Sequence, residues 1–246
     1  RRLFLCVLCV SAVFLAVRFS ALAAPPITFE DVTAKAGITF KHTMGDAEMS
    51  SLVEATGVGC AFLDYDNDGW LDIYLVNGCH LPGLSDPKPP DMEALKNATS
   101  RLYHNRGDGT FEDVTKKAGI LPGGYGIGVL VGDCDNDGFA DIFETHYGTN
   151  RLYHNNGNGT FTEVAQQAGV ADTGFFVGAC FLDFDNDGKL DLFVGKYVEY
   201  DDDYNRKHGQ VDNFPGPLAY PPTLSQLYRS LGNGRFTNVT AAAGIL

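Results

Sequence analysis

The sequence predicts an all-β chain built from four-stranded antiparallel blades, a β-propeller, and three observations carry that prediction. Three copies of one acidic loop lie between short apolar runs: Asp64 to Asp72, Asp133 to Asp141 and Asp183 to Asp191. Two further signatures, Leu-Tyr-x-Asn and Phe-x-Asp-Val-Thr, recur downstream of each loop or nearly so. The whole pattern returns about every fifty residues with almost no helical periodicity, which is the mark of propeller blades.

Each loop places carboxylates at positions 1, 3, 5 and 9 and glycine at 6. The first holds Asp64, Asp66, Asp68 and Asp72, the second Asp133, Asp135, Asp137 and Asp141, and the third Asp183, Asp185, Asp187 and Asp191. Four carboxylates in nine residues repel one another, and a divalent cation that takes six to eight hard oxygens relieves the repulsion. The main-chain carbonyl at position 7, from Trp70, Phe139 and Lys189, can join the side chains. The expectation is therefore about three Ca2+ sites. An Asn-Asp-Gly hairpin turn without metal is the simpler alternative, but a turn alone has no use for the flanking aspartates. These are not full EF-hand loops, because position 12 is Leu75, Glu144 and Val194, so only the middle copy offers the bidentate glutamate. The flanks also differ, being short, β-branched or aromatic runs that read as strands.

Taken in chain order, strand A precedes the loop, strand B follows it, strand C is Leu-Tyr-His-Asn and strand D is Phe-x-Asp-Val. Strand C starts at Arg101, Arg151 and Gln226, and a Gly-x-Gly turn leads into strand D at Phe111, Phe161 and Phe236. The predicted blades span about 57–115, 126–164 and 176–240, with residues 27–33 as a lone strand D before the first. Gly59, Gly128 and Gly178 stand five positions before each first aspartate, where strand A would pack closely beside its neighbours. The Gly123–Gly128 run enters a strand, so it is not read as a phosphate loop.

Arg1 and Arg2, the apolar run Leu3 to Val17 and the small residues Ala21 to Ala23 predict a signal peptide over 1–23. Arg18 interrupts that run, which argues against a stable membrane span once the leader is gone. A formal charge of −13, more negative still without the leader's arginines, argues against nucleic acid as a partner. Cys60 and Cys180 are expected to be buried as small apolar residues of strand A, and no spacing identifies a partner for Cys79. His104 and His154 share one repeat position and are read as structural. No Cys/His ligand spacing and no nucleophile elbow is present, so the chain is not predicted to be an enzyme.

Asp-x-Asp-x-Asp-Gly-x-x-Asp between strands, followed by Leu-Tyr-x-Asn-x-Gly-x-Gly-Thr-Phe, resembles the FG-GAP/VCBS repeat of integrin α-chain propellers. Ile27 to Gly78 and units of the Arg101 to Thr115 type further resemble the secreted cartilage acidic protein family, whose members carry an ASPIC/UnbV domain after the propeller. The resemblance implies a seven-bladed calcium-binding propeller, extracellular or periplasmic, with adhesion or binding roles and no established catalysis. Only three loops and no such following domain are present, so the expectation is a partial propeller over 24–246. The two long B–C connections, Cys79 to Ser100 and Val198 to Leu224, are the expected recognition surface for an extracellular protein or glycan, with solvated covers over sheet edges as the alternative. A secreted propeller enzyme acting on polysaccharide is the second function class, for which the sequence offers only Glu144 and scattered aspartates.

Overall fold

The computed structural model describes residues 27–45, 51–82, 84, 98–208 and 214–245. The leader expected over 1–23 lies outside them. The chain divides into Arg1–Asp31 and Val32–Leu246, and the propeller is the second unit. Residues 27–33 form no strand, and Ile27 and Phe29 are exposed. The lone strand D expected there is thus corrected. Its physical reason is pairing: among the described residues every third strand already holds its own fourth.

Among the described residues twelve strands make three blades. The first is β1 (Cys60–Leu63), β2 (Asp72–Leu75), β3 (Arg101–Asn105) and β4 (Phe111–Asp113). The second is β5 (Tyr125–Gly132), β6 (Asp141–Thr149), β7 (Arg151–Asn155) and β8 (Phe161–Glu163). The third is β9 (Thr173–Leu182), β10 (Asp191–Lys196), β11 (Gln226–Gly232) and β12 (Arg235–Asn238). Within each blade consecutive strands pair antiparallel. The long strands β6 and β9 run past their own blades and pair with each other from Tyr147↔Phe175 to Thr149↔Thr173, which joins blades two and three into one sheet. The chain is a β-propeller of antiparallel blades.

Blade two is covered on both faces, by blades one and three, and period-two alternation sends neighbouring side chains to opposite sides. In β6, Ile142 joins the core between blades one and two while Phe143 joins the core between blades two and three. Tyr153 and Leu152 of β7 divide in the same way. Full burial of each such side chain contributes about 2 kcal/mol. The innermost strands meet at the glycines singled out above. Gly59 donates its N–H to Ile127 O at 2.6 Å, and a Cβ on Gly128 would lie 2.7 Å from Thr145 Oγ1 and 3.0 Å from Val177 O. Cys60 and Cys180, expected to be buried there, are exposed. Cys60 lies two residues from the exposed Phe62, and the pleat carries both out of the core.

The described part of the blade-three B–C insertion is anchored in a core and carries exposed residues as well. Val198 bridges Pro222, and Val198 and Tyr220 are buried with Leu52, Val53, Tyr125 and Phe175 in a third core. It also contains a helix, Asp202–His208, that periodicity did not reveal. Asp201 Oδ1 accepts the N–H groups of Asp203 and Tyr204 at 2.8 and 3.2 Å, acidic residues fill the first turn and basic ones the last. A capping aspartate and a favourable dipole arrangement support so short a helix. Part of the blade-one insertion, residues 85–97, lies outside the described residues.

Candidate metal centres

The three loops fold alike because the aspartates at positions 1, 5 and 9 each have a separate bonding task. At position 1, Asp64 accepts the N–H of Asp68 on one oxygen (3.0 Å) and that of Gly69 on the other (2.9 Å). Asp133 and Asp183 do the same for their own positions 5 and 6. At position 5, Asp68, Asp137 and Asp187 accept the N–H of Trp70, Phe139 and Lys189. The loop glycines have φ of 89°, 92° and 81° at Gly69, Gly138 and Gly188, a conformation that favours glycine. Asn at position 4 is left-handed too, and its amide reaches the next loop: Asn67 Nδ2 donates to Gly138 O at 3.2 Å. That role of Asn67 was not read from the sequence, although Asn recurs there in every copy.

Position 9 was expected to be a metal ligand, and the structure gives it a second duty. Asp72 is fully buried and accepts the N–H of Tyr65 (3.0 Å) and of Asn105 on strand β3 (2.8 Å). Asp141 accepts from Cys134 and Asn155, and Asp191 from Phe184 and Ser230. This carboxylate therefore ties the loop to the third strand of its own blade, and Asp141 Oδ2 takes the Cys134 thiol as well, at 2.8 Å.

Positions 1, 3 and 9 of the first loop (Asp64, Asp66, Asp72) bring carboxylate oxygens within 4.8 Å of one another, as do Asp133, Asp135 and Asp137, and Asp183, Asp185 and Asp191. Asp66 Oδ1 and Asp135 Oδ1 are buried without a hydrogen-bond partner. A buried acceptor with no donor is costly, and a cation in the cluster removes the cost, so the residues of the first two loops fit a hard divalent ion. The electrostatics agree. Burial first, then the neighbouring Asp141 and Asp137, raises the Asp135 carboxyl above its ordinary range. Burial likewise raises Asp72. The side chains of Trp70 and Phe139 at position 7 lie over the C–D turns, where a Cβ on Gly107 or Gly157 would come within 2.9 and 2.8 Å of their rings.

A residue of the third strand faces every loop, and this too was missed. His104 Nδ1 lies 3.5 Å from Asp66 Oδ2 and 3.2 Å from Asp72 Oδ1; His154 Nδ1 lies 3.4 Å from Asp135 and 3.3 Å from Asp141. In blade three the place belongs to Arg229, 2.7 Å from Asp185 Oδ2. The available signal was the exchange of His for Arg in Leu-Tyr-His-Asn, which becomes Leu-Tyr-Arg at Leu227 to Arg229.

Residues 90–144 and 133–194 each match the model of the FG-GAP-like repeat. The chain carries FG-GAP-like repeats. No curated protein matches it. The second FG-GAP-like segment runs from one acidic loop through the next, so both loops lie within the matched residues. The first loop, Asp64 to Asp72, lies outside the matched residues and has the same hydrogen bonds.

Serine, glutamate and histidine meet at one place away from the loops. Ser100 Oγ donates to Glu144 Oε1 at 2.5 Å, Tyr74 Oη donates to Oε2 at 3.2 Å, and His146 Nε2 lies 3.4 Å from Oε2. Glu144 is fully buried. Burial would raise its carboxyl, but His146, Ser100 and Arg151 outweigh it and hold it below the ordinary value. The network bridges blades one and two from within. A cavity of about 540 Å³ between blades two and three is lined by Asp135, His154, Asn233 and Arg235 among others. No helix among the described residues is long and apolar enough to cross a membrane.

Proposed function

We propose that this chain is a secreted, non-catalytic interaction module: its FG-GAP-like blades take calcium in their acidic loops, and its B–C insertions bind an extracellular protein or glycan. The observation that carries the calcium reading is the pair of buried, unpartnered oxygens, Asp66 Oδ1 and Asp135 Oδ1, inside clusters of carboxylates. Asp64, Asp66, Asp68 and Asp72 with the Trp70 carbonyl would hold one ion, and Asp133, Asp135, Asp137 and Asp141 with the Phe139 carbonyl another. Bound calcium supplies charge neutralisation to a bend that its own aspartates strain by repulsion. Secretion is supported by the leader-like start of the sequence, and the narrower likeness to the cartilage acidic protein family supports an extracellular binding role.

Binding to the folded state alone stabilises by mass action, about 2.7 kcal/mol at a calcium concentration one hundred times Kd. Melting curves in millimolar CaCl2 should therefore lie above those in EDTA, and Asp66→Ala should blunt the difference. Identical curves for the wild type in both media would remove the calcium reading. For the partner, the insertion of blade three packs into a core, so deleting it would disturb the fold. Point changes at its exposed apolar residues Leu218 and Leu224 are the sharper probe on a matrix-protein or glycan array. Retention on the array should fall for Leu218→Ser with Leu224→Ser, and unaltered retention would place binding elsewhere.

A further inference from the structure

The three loops share four carboxylates each and differ in what faces them. In blades one and two the facing residue is histidine, and an oxygen of Asp66 and of Asp135 is buried with no hydrogen-bond partner. In blade three Arg229 Nη2 lies 2.7 Å from Asp185 Oδ2 and 3.9 Å from Asp187 Oδ2, and Lys189 Nζ lies 2.6 Å from Asp187 Oδ2. Ligand spacing does not separate the third loop from the first, since Asp183, Asp185 and Asp191 converge as Asp64, Asp66 and Asp72 do. Charge does. Four carboxylates with two tethered cations leave a formal −2 on the third loop. One Ca2+ would bring each of the other loops to that same value.

We infer that Arg229 and Lys189 are built-in counter-cations that replace the calcium of blade three, so that the chain takes two calcium ions and not three. The inference rests on the reading of the first two loops as calcium sites. The guanidinium stays charged at any accessible pH. Both cations are covalently attached beside the carboxylates, so they occupy the loop without the loss of translational freedom that a free ion incurs. A dication entering the third loop would meet two like charges and would have to displace Arg229 from Asp185. The third blade is then rigid without metal, and it braces blade two through the pairing of β6 with β9.

The test is calorimetric titration of the whole chain with CaCl2 after EDTA stripping, beside a variant carrying Arg229→Gln and Lys189→Ala. Two ions are expected for the wild type and three for the variant. Three ions in the wild type, or two in a variant whose circular dichroism is unchanged, overturns the inference and leaves the calcium reading intact. No uptake by either chain overturns both. A second arm does not depend on that variant folding. Trp70, the sole tryptophan, sits in the first loop and should sensitise luminescence of Tb3+ bound there. His104→Arg transplants the facing arginine alone and should weaken that signal. An undiminished Trp70-sensitised signal in folded His104→Arg would show that a facing arginine does not displace the ion.

Discussion

Asp66 and Asp72 carry the same side chain in the same loop and do different things. Asp72 is sealed in and takes two main-chain N–H groups, from Tyr65 and Asn105. Asp66 has a buried oxygen with no partner. Removing the Asp72 carboxylate leaves two donors without an acceptor, at about 1–3 kcal/mol each. Asp72→Ala should thus lose several kcal/mol in urea denaturation even in EDTA. Asp66→Ala should lose stability only when calcium is present, and an equal loss in EDTA would contradict its assignment as a ligand. Glu144 makes a third kind of acidic residue, one that pairs with this chain's own groups. Its carboxyl is held below the ordinary value of 4.5, so it contributes stability above that value and the contribution is lost as pH falls through the lowered one. The stability gap between wild type and Glu144→Gln should accordingly be widest near neutrality and close as the solution is acidified. Glu144→Ala should cost about 3 kcal/mol at neutral pH, because Tyr74, Ser100 and His146 lose their common acceptor.

At the scale of the element, strand A decides how near the blades can stand. Gly59, Gly128 and Gly178 occupy one repeat position, but their surroundings differ. A methyl on Gly128 would meet Thr145 Oγ1 at 2.7 Å and the Val177 carbonyl at 3.0 Å, whereas one on Gly178 would meet nothing within 4 Å. Gly128→Ala should cost about 2 kcal/mol through overpacking, and Gly178→Ala should stay within about 0.5 kcal/mol of wild type. Equal effects at the two positions would mean that backbone freedom, and not close approach, selects glycine there. The same strands explain the cysteines. Apolar alternation shows which residues share a side of the strand, but whether that side is covered depends on the neighbouring blade. Cys60 is exposed for that reason, while Cys134, at position 2 of its loop, is buried with its thiol 2.8 Å from Asp141 Oδ2. Burial and the adjacent carboxylate push that thiol far up, which keeps it protonated and unreactive.

At the scale of the whole molecule, the blades are not joined equally. Blades two and three share a run of strand pairing between β6 and β9. Blade one meets blade two through separate bonds, among them Gly59 N–H to Ile127 O and Gly126 N–H to Asn77 O. Cooperative opening follows such seams. Amides of β6 and β9 should therefore exchange with solvent more slowly than those of β1 and β4, and a uniform rate across all three blades would contradict the division. The insertion of blade three belongs to this scale as well. Tyr220 packs against both Tyr200 and Tyr204, and Tyr200 meets Tyr147 of blade two edge to face, so aromatic contacts brace the insertion against the blades.

Loops, strands and blades were legible in the sequence because each depends on contacts within a few residues, and repetition displayed the pattern three times. The aspartates at positions 1, 3 and 5, the glycine turn and the two strand signatures needed nothing further. What faces each loop could not be read that way, since Arg229 and Asp185 are brought together only by the pairing of β10 with β11. The division of the four carboxylates into turn-formers, one with an unpartnered oxygen and a buried brace was equally tertiary. It turns on which oxygens are left without a donor after the neighbouring strand has packed, and chain-local chemistry does not record that.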